Sequence, residues 1–327
     1  MRPASAASRA VTPVVWVALI TVYVLWGSTY LAIREAIDTM PPFLMASVRF
    51  LVAGGLLYAV AARRGDWEGD RPGWPQWRSA LIVGGLLLVG GNGAVVWSEQ
   101  HIASGVTALL VATIPLWMVV IGVAAFGERV RRLEAGGVAV GFAGIVLLVL
   151  GSPSTSGTGH LNLAGAGAAL FAALSWAIGS LYSRRAPLPS RPLVSTAMQM
   201  VAGGALLAVV GVASGELGDV HLSRISLSSI LGLAYLIVFG SLVAFSAYVW
   251  LLRNARISLV STYAYVNPVV AVFLGWAFLS EPITGSTLVA GAVIVVAVAM
   301  IVSARRPPAA QQGRAEGPEE PTSADAA

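Results

Sequence analysis

Two stretches of the chain share one pattern. AVVWSEQHIASGVTALLVATIPLWMVVIGVAAFGE, residues 94–128, aligns without a gap with AYVWLLRNARISLVSTYAYVNPVVAVFLGWAFLSE, residues 247–281. Both are apolar for most of their length, both place a proline near the middle (Pro115 and Pro268), and both end on a glutamate. Self-similarity over this length indicates an internal repeat, and a repeat constrains the whole architecture.

The composition indicates a membrane protein. Of the 327 residues, 57% are hydrophobic and only 11% are charged, against about 25% charged in an ordinary soluble domain. So little charge cannot cover a surface that faces water, and the lipid bilayer is therefore the expected solvent. The chain has no cysteine, which excludes disulfides and thiol chemistry.

Ten segments carry almost no charge, and each is close to the roughly 20 residues that a helix needs to cross a bilayer. They are 14–33, 43–62, 79–98, 103–126, 135–151, 161–183, 193–213, 227–252, 257–280 and 283–304. Arg49 is the only charged side chain in them, and no acidic residue falls inside any of them. Because barrel strands would alternate over about ten residues, the sequence predicts an all-α polytopic membrane protein with ten transmembrane helices.

The arginines predict the orientation. All 20 basic residues are arginines, and 17 of them fall in the segments on the same side of the membrane as the N-terminus. Only Arg34 and Arg224 fall in loops on the other side. Since positively charged loops stay in the cytoplasm, both termini are predicted to be cytoplasmic. The net charge of +5 reflects this topology, and no nucleic-acid partner is expected.

The repeat divides the ten helices into two halves of five. AGGLL from Ala53 and AGGALL from Ala202 extend the match to the second helix of each half. Because five is odd, the second half enters the membrane from the opposite side, and such inverted repeats suit alternating access. The predicted boundaries are a cytoplasmic N-terminal tail at 1–13, a first repeat at 14–151, an extracytoplasmic linker at 152–160, a second repeat at 161–304 and a disordered cytoplasmic tail at 305–327.

Several motifs resemble the EamA domain of the drug/metabolite transporter superfamily. They are WGSTYLAIR (26–34), PPFLMASVRFLVAG (41–54), TIPLW (113–117), GERVRRLEAGGVAVGFAG (127–144) and SEPITGSTLVAGAV (280–293). The resemblance implies a ten-helix carrier with a central cavity, lined mainly by the third and fourth helices of each half. It also implies small-metabolite substrates, with export of amino acids or related compounds common among relatives.

The two repeat-related prolines predict a disturbed backbone in the middle of the membrane. Proline removes one backbone hydrogen bond, and in lipid the freed carbonyl must be satisfied by protein or by cavity water. The polar side chains beside the prolines either pair with such a carbonyl or face a solute. They are Thr113, Tyr263, Tyr265 and Asn267. The alternative is that Pro115 and Pro268 are packing kinks with no part in a cavity.

Arg49 has two interpretations. It is the seventh residue of the second predicted helix, so its Cα lies about 9 Å from the outer helix end, and its side chain could snorkel to the interface. Alternatively, an inward-facing guanidinium binds a carboxylate of the substrate. The aligned region of the second half offers Met198 or Gln199, so the charge is unmatched, as a substrate with one anionic end would require.

Other polar and aromatic residues fall at mid-depth. Asn92, in GGNG of the third helix, is predicted to form an interhelical hydrogen bond or to face the cavity. Trp26, Trp117 and Trp176 are expected in the cavity or the core rather than at the membrane interface. Trp26 and Tyr30 are four residues apart and therefore share one helix face.

Three acidic residues lie nearest to the membrane: Glu99, Glu128 and Glu281. Each is a candidate for ion coupling or for a gate. Glu128 has arginines around it and an ion-pair cluster explains it equally well, while Glu281 precedes Pro282 and could simply end the ninth helix.

The sequence disfavours an enzyme. The three histidines fall in predicted outer loops, no aspartate is buried, and the chain has no lysine for a phosphate-binding P-loop. No metal and no cofactor are predicted. The predicted protein is a multi-pass carrier of the bacterial cytoplasmic membrane whose partners are a small metabolite and the lipid bilayer, with outward transport of amino acids or their relatives favoured. A homodimer stays open, and the alternative function is a channel or a structural or lipid-handling membrane protein.

Overall fold

The computed structural model describes residues 13–63, 72–127, 130–151, 161–255, 260 and 262–304, and within them it contains ten membrane helices and no strand. The helices are α1 Pro13–Ile37, α2 Pro42–Arg63, α3 Trp74–Glu99, α4 in two segments (Ser104–Val111 and Ile114–Phe126), α5 Arg132–Gly151, α6 Leu163–Ser183, α7 Pro192–Ala213, α8 at 227–254, α9 Tyr263–Leu279 and α10 Gly285–Ala304. Two short 3-10 turns, Glu216–Asp219 and Leu222–Arg224, connect α7 to α8. The predicted tails and the linker at 152–160 lie outside the described residues.

The predicted fold class is confirmed. In the described part of the chain nine helices are long and apolar enough to cross a membrane, and α9 is a shorter apolar helix of 17 residues. Helices dominate because lipid offers no hydrogen-bond partner to the backbone, so each spanning segment must satisfy its own peptide groups.

The helix ends differ from the predicted segments, and three glutamates are affected. Glu35 lies in the last turn of α1, Glu99 is the last residue of α3, and Glu134 lies in the first turn of α5. The prediction that no acidic residue belongs to a membrane helix is therefore wrong. Counting charge-free residues misses such cases because a helix continues until its backbone hydrogen bonds end, whatever the charge at its last turn.

The packing has a twofold pattern that relates the two halves. α1 contacts α9, and the repeat partner of α1, α6, contacts α4. In the same way α1 contacts α8, and α6 contacts α3. α2 packs on its own repeat partner α7, and α5 packs on α10. This set of contacts arises when two similar bundles of opposite orientation are related by an axis in the membrane plane.

Glycines set the closest helix contacts. At Gly84 in α3, an added Cβ would lie 2.7 Å from the Gln199 carbonyl oxygen and 2.8 Å from the Gly203 nitrogen, both in α7. At Gly27 in α1, a Cβ would lie 2.6 Å from Cβ of Val270 in α9. Small residues allow such approaches, and close packing stabilises helix pairs in lipid, where apolar burial contributes little.

Repeat-related helices carry similar irregularities. α3 is π-helical over Gly85–Gly93, and α8 is π-helical over Leu236–Val243. A π-helical stretch widens the helix and frees backbone carbonyls to accept side-chain donors, which is why such stretches are frequent at functional sites.

Candidate functional site

An aromatic cluster occupies the middle of the bundle. Trp26, the fourteenth of the 25 residues of α1, lies 5.0 Å from Tyr248 and 5.2 Å from Tyr263 between ring centroids. Phe245 meets Trp26 edge-on at 6.2 Å. The Trp26 Nε1–H donates to the carbonyl of Gly240 at 3.2 Å, in the π-helical part of α8. Helices α1, α8 and α9 therefore meet around half-buried rings that can stack on a flat or apolar solute.

Asn267 joins α9 to α1 beside this cluster. With its amide oriented so that both ends pair, Nδ2 donates to the Tyr263 carbonyl at 3.2 Å and to the Tyr23 carbonyl at 3.3 Å. The Tyr23 hydroxyl also hydrogen-bonds to Thr262, which precedes α9. Pro268 is buried inside α9, where its ring leaves a carbonyl of the preceding turn without its usual donor. The neighbouring asparagine thus donates to two backbone carbonyls, but neither is the carbonyl of Ala264, the residue four before Pro268, so its predicted pairing with the freed carbonyl stays a prediction.

Pro115 does not occupy a site equivalent to that of Pro268. α4 is interrupted at Ala112 and Thr113, and Pro115 lies in the first turn of its second segment, where a missing N–H costs nothing. The fully buried Thr113 donates its hydroxyl to the Leu110 carbonyl at 2.5 Å, across the interruption. The two prolines therefore differ in position: Pro115 follows a break in the middle of the α4 span, whereas Pro268 lies inside the continuous helix α9.

Arg49 points into the bundle. Its side chain is 6% exposed, and Nε donates to the Ser241 hydroxyl of α8 at 3.0 Å. The guanidinium also lies 4.7 Å from the ring centroid of Phe50. Its terminal nitrogens make no hydrogen bond to a described residue. The snorkelling interpretation does not hold, since a side chain that reached the interface would be solvent-exposed.

Glu99 is fully buried. Its exposure is 0%, and neither carboxylate oxygen has a hydrogen-bond partner among the described residues. Arg34 of α1 donates instead to the backbone carbonyl of Glu99. Arg34, Arg49 and Glu281 interact electrostatically with the carboxylate, and so does the half-buried Tyr30. A charged group predicted at the edge of the membrane thus belongs to a buried polar cluster.

Glu281 caps the first segment of α4. Its carboxylate accepts from the Ser104 N–H at 2.7 Å, the Ser104 hydroxyl at 3.0 Å and the Gly105 N–H at 3.2 Å. An anion at a helix N-terminus satisfies free N–H groups and interacts favourably with the helix dipole. Close by, a Cβ on Gly105 would lie 3.0 Å from the Val272 Cα, so α4 and α9 are in tight contact at this end. Glu128, the predicted counterpart, lies outside the described residues.

The remaining predicted site residues have other neighbours than the aromatic cluster around Trp26 and the polar cluster around Glu99. Asn92 donates Nδ2 to the Leu87 carbonyl of its own helix, at a long 3.5 Å. Trp117 packs edge-on against Phe142 of α5 at 5.5 Å. Trp176 of α6 lies against α3, where a Cβ on Gly91 would be 2.8 Å from its ring. Tyr265 packs beside the core formed by α4, α5, α6 and α10.

Sequence reasoning missed several members of the site. They are Arg34, Ser241, Phe245 and Tyr248. The sequence predicts Arg34 in an outer loop because it directly follows a charge-free segment. Ser241 has no sequence signal that separates it from the other serines of the membrane segments. Comparison of the halves gives a signal for Tyr248. In the alignment of YVW at 248–250 with VVW at 95–97, Tyr248 stands opposite Val95 and so has no aromatic counterpart in the first half.

The site combines aromatic, cationic and anionic groups. Aromatic rings, one buried guanidinium and one buried carboxylate line it, and no group of metal-ligating side chains is found among the described residues. Two five-helix halves around a polar and aromatic centre define a polytopic membrane protein with an architecture found among transporters.

The family follows from sequence comparison. The model of the EamA-like transporter family matches residues 14–150 and again residues 163–303. The chain belongs to this family, as the resemblance of its motifs predicted, and it is a multi-pass cell-membrane protein.

Relatives share most of the chain length. An inner membrane transporter of Escherichia coli K12, YedA, is 41% identical over 286 residues, covering 87% of this chain and 89% of its own. A probable amino-acid metabolite efflux pump of the same organism is 27% identical over 285 residues, covering 84% and 89%. A solved crystal structure with 24% identity superposes with a TM-score of 0.58 over 88% of this chain and 95% of its own, which shows a common fold.

Proposed function

We propose that the protein is an alternating-access carrier that exports amino acids or related small metabolites and has no enzymatic activity. The observation that carries the proposal is the twofold pattern of helix contacts, because two similar halves of opposite orientation can exchange their packings between an inward-open and an outward-open state. Relatives named as amino-acid metabolite efflux pumps support the substrate class and the direction.

Arg49 supports a carboxylate-bearing substrate. A buried guanidinium with free terminal nitrogens presents two parallel donors, which match a carboxylate in bidentate fashion. The aromatic cluster of Trp26, Tyr248 and Tyr263 supplies an apolar wall for the remainder of the solute. In this proposal the tight contact of α4 with α9 near Glu281 is the contact that opens at the outer end of the site during transport.

Counterflow tests the carrier proposal. Purified protein is reconstituted in liposomes loaded with one unlabelled amino acid at millimolar concentration, and uptake of the same labelled amino acid is followed, over a panel of the standard amino acids. A carrier gives a transient overshoot of labelled solute, because internal solute drives exchange. Simple equilibration without overshoot would indicate a channel, and no uptake of any solute in the panel would contradict the proposed substrate class.

The Arg49→Lys variant tests the carboxylate contact. Lysine keeps the charge but loses the planar fork, so we expect the half-saturating concentration in counterflow to rise by about tenfold, which corresponds to about 1.4 kcal/mol. Arg78→Gln serves as a control because Arg78 is exposed, and it should leave counterflow unchanged. Unchanged half-saturation in Arg49→Lys would remove Arg49 from the binding site.

A further inference from the structure

We propose that Glu99 and Arg49 together form a binding site for a zwitterion, in which Glu99 receives an ammonium group and Arg49 a carboxylate. This inference rests on the proposed carrier function and specifies the substrate that the same cavity selects. Its starting point is the Glu99 carboxylate, which is 0% exposed and accepts no hydrogen bond from any described residue.

A buried carboxylate without a donor is costly. Moving such a group out of water costs several kcal/mol unless a charge partner and hydrogen bonds compensate. The helix geometry directs this group toward the membrane centre, because Cα–Cβ bonds tilt toward the helix N-terminus. Glu99 ends α3 at the outer side of the predicted topology, so its side chain leans back into the bundle.

The neighbouring charges do not provide the missing donors. Arg34 of α1 uses a terminal nitrogen on the Glu99 backbone carbonyl, and Arg49 of α2 uses Nε on Ser241 of α8. Glu281, which follows α9, accepts from the N-terminus of α4. Tyr30 of α1 is within electrostatic range of Glu99 but is not hydrogen-bonded to it. The Glu99 carboxylate therefore has no hydrogen-bond donor among the described residues, and the two terminal nitrogens of Arg49 have no acceptor among them.

An α-amino acid carries the two groups that this cluster lacks. Its ammonium donates to a carboxylate, and its carboxylate accepts from a guanidinium fork. A ligand with only one of these groups leaves the other protein charge buried and unpaired, and sites with buried polar groups reject such analogues strongly.

The two charged residues of the site have no charged counterparts in the second half of the chain. The gapless alignment of the two halves places Leu252 opposite Glu99, and the match of AGGLL with AGGALL places Met198 or Gln199 in the region of Arg49. Both charges thus belong to the first half alone, so the site distinguishes the two ends of its ligand. A symmetric apolar solute would give no physical reason for two buried charges on one side of the axis.

Thermal stabilisation of the purified wild-type protein is the first test. Each standard L-α-amino acid is compared with its N-acetyl derivative, which lacks the ammonium, and with its methyl ester, which lacks the carboxylate. We expect at least one free amino acid to raise the apparent melting temperature by mass action, with both of its derivatives binding at least about tenfold more weakly. Equal stabilisation by either derivative, or none by any amino acid, would overturn the inference.

Glu99→Gln assigns the ammonium contact. The variant should bind the free amino acid about tenfold more weakly or worse, and it should no longer distinguish that amino acid from its N-acetyl derivative while still rejecting the methyl ester. Glu134→Gln is the matched control, since Glu134 is also buried but accepts from the Arg131 N–H at the start of α5. Preserved ammonium discrimination in a folded Glu99→Gln protein would exclude Glu99. If that variant does not fold, the wild-type comparison still decides between a zwitterion and other ligands.

The failure of this inference and the failure of the carrier proposal give different results. Counterflow that accepts a free amino acid and its N-acetyl derivative equally would leave a carrier without the proposed site. Selective stabilisation by free amino acids without counterflow would leave the site but remove the carrier.

Discussion

At the scale of single residues, burial decides what each charged group can do. Arg49 and Glu99 are 6% and 0% exposed, and a charge that is removed from water must be paired or must bind something. Glu216 shows the paired case: it is buried, but its carboxylate accepts from the N–H groups of Phe43 and Leu44 at 3.0 and 2.8 Å, at the start of α2. The same residue type is thus a helix cap at one position and an unpaired acceptor at another.

A close contact between the backbones of α3 and α7 gives a residue-scale prediction. Gly84→Ala adds a Cβ within 3 Å of backbone atoms of α7, and backbone cannot move aside as a flexible side chain does. We expect a loss of about 1–3 kcal/mol in the free energy of unfolding, measured in mild detergent by thermal or denaturant unfolding.

The control for this variant is Gly55→Ala, because an added Cβ at Gly55 meets nothing within 4 Å. Alanine favours helix over glycine, so this variant should be as stable as the wild type or slightly more stable. Equal stability of Gly84→Ala and Gly55→Ala would contradict the close α3–α7 contact.

At the scale of helices, the two interruptions have different origins. In α4 the chain leaves the helix at Ala112 and Thr113 and starts again with Pro115 in the first turn, where proline is favoured. In α9 the helix runs through Pro268, and Asn267 supplies donors to carbonyls of α9 and α1. The sequence placed both prolines at equivalent positions, but only the helix starts determine whether a proline begins a helix or lies within one.

The cap on α4 gives a prediction for the outer contact between α4 and α9. Glu281→Gln removes the anion that accepts from Ser104 and Gly105, so the contact should open more often. The native chain has no cysteine, and a single Val106→Cys reports on this contact because Val106 is 7% exposed. We expect a membrane-impermeant maleimide to label Val106→Cys several-fold faster when Glu281→Gln is also present.

Glu216→Gln is the matched control for that experiment, since Glu216 caps α2 instead of α4. It should leave the labelling rate of Val106→Cys unchanged. A similar increase in both backgrounds would point to general loosening of the bundle rather than to a gate at α4.

At the scale of the whole molecule, the proposed alternating access depends on the contacts between the two halves. α2 packs on its repeat partner α7, and α5 packs on its repeat partner α10. The other contacts occur in matched sets, in which a contact between two helices recurs between their repeat partners. In a two-state carrier these matched sets exchange, so that the contacts of α4 in one state become those of α9 in the other.

The predicted orientation is testable with single cysteines. Ser5→Cys and Ser323→Cys should be protected from an impermeant maleimide in intact cells and should react after permeabilisation, because both termini are predicted to be cytoplasmic. Ser156→Cys, in the predicted linker between the repeats, should react in intact cells. Termini on opposite sides of the membrane would rule out an inverted repeat.

The sequence by itself determined that the protein lies in a lipid bilayer, how many helices cross it and that the chain contains an internal repeat. Each of these depends on sums over about 20 residues, and such sums tolerate errors at individual positions. α9 illustrates the limit: it was predicted from residue 257, whereas the helix that the structure describes starts at Tyr263.

Only the tertiary structure decided which residues meet. Trp26, Tyr248 and Tyr263 come from three helices, and Trp117 was an equally good candidate by depth but packs against α5. Depth in the membrane follows from position along the sequence, whereas the direction in which a side chain points around the helix depends on its neighbours. For the same reason the sequence predicts Glu99 at the membrane edge, whereas the packing of α3 against its neighbours makes it the most deeply buried acid among the described residues.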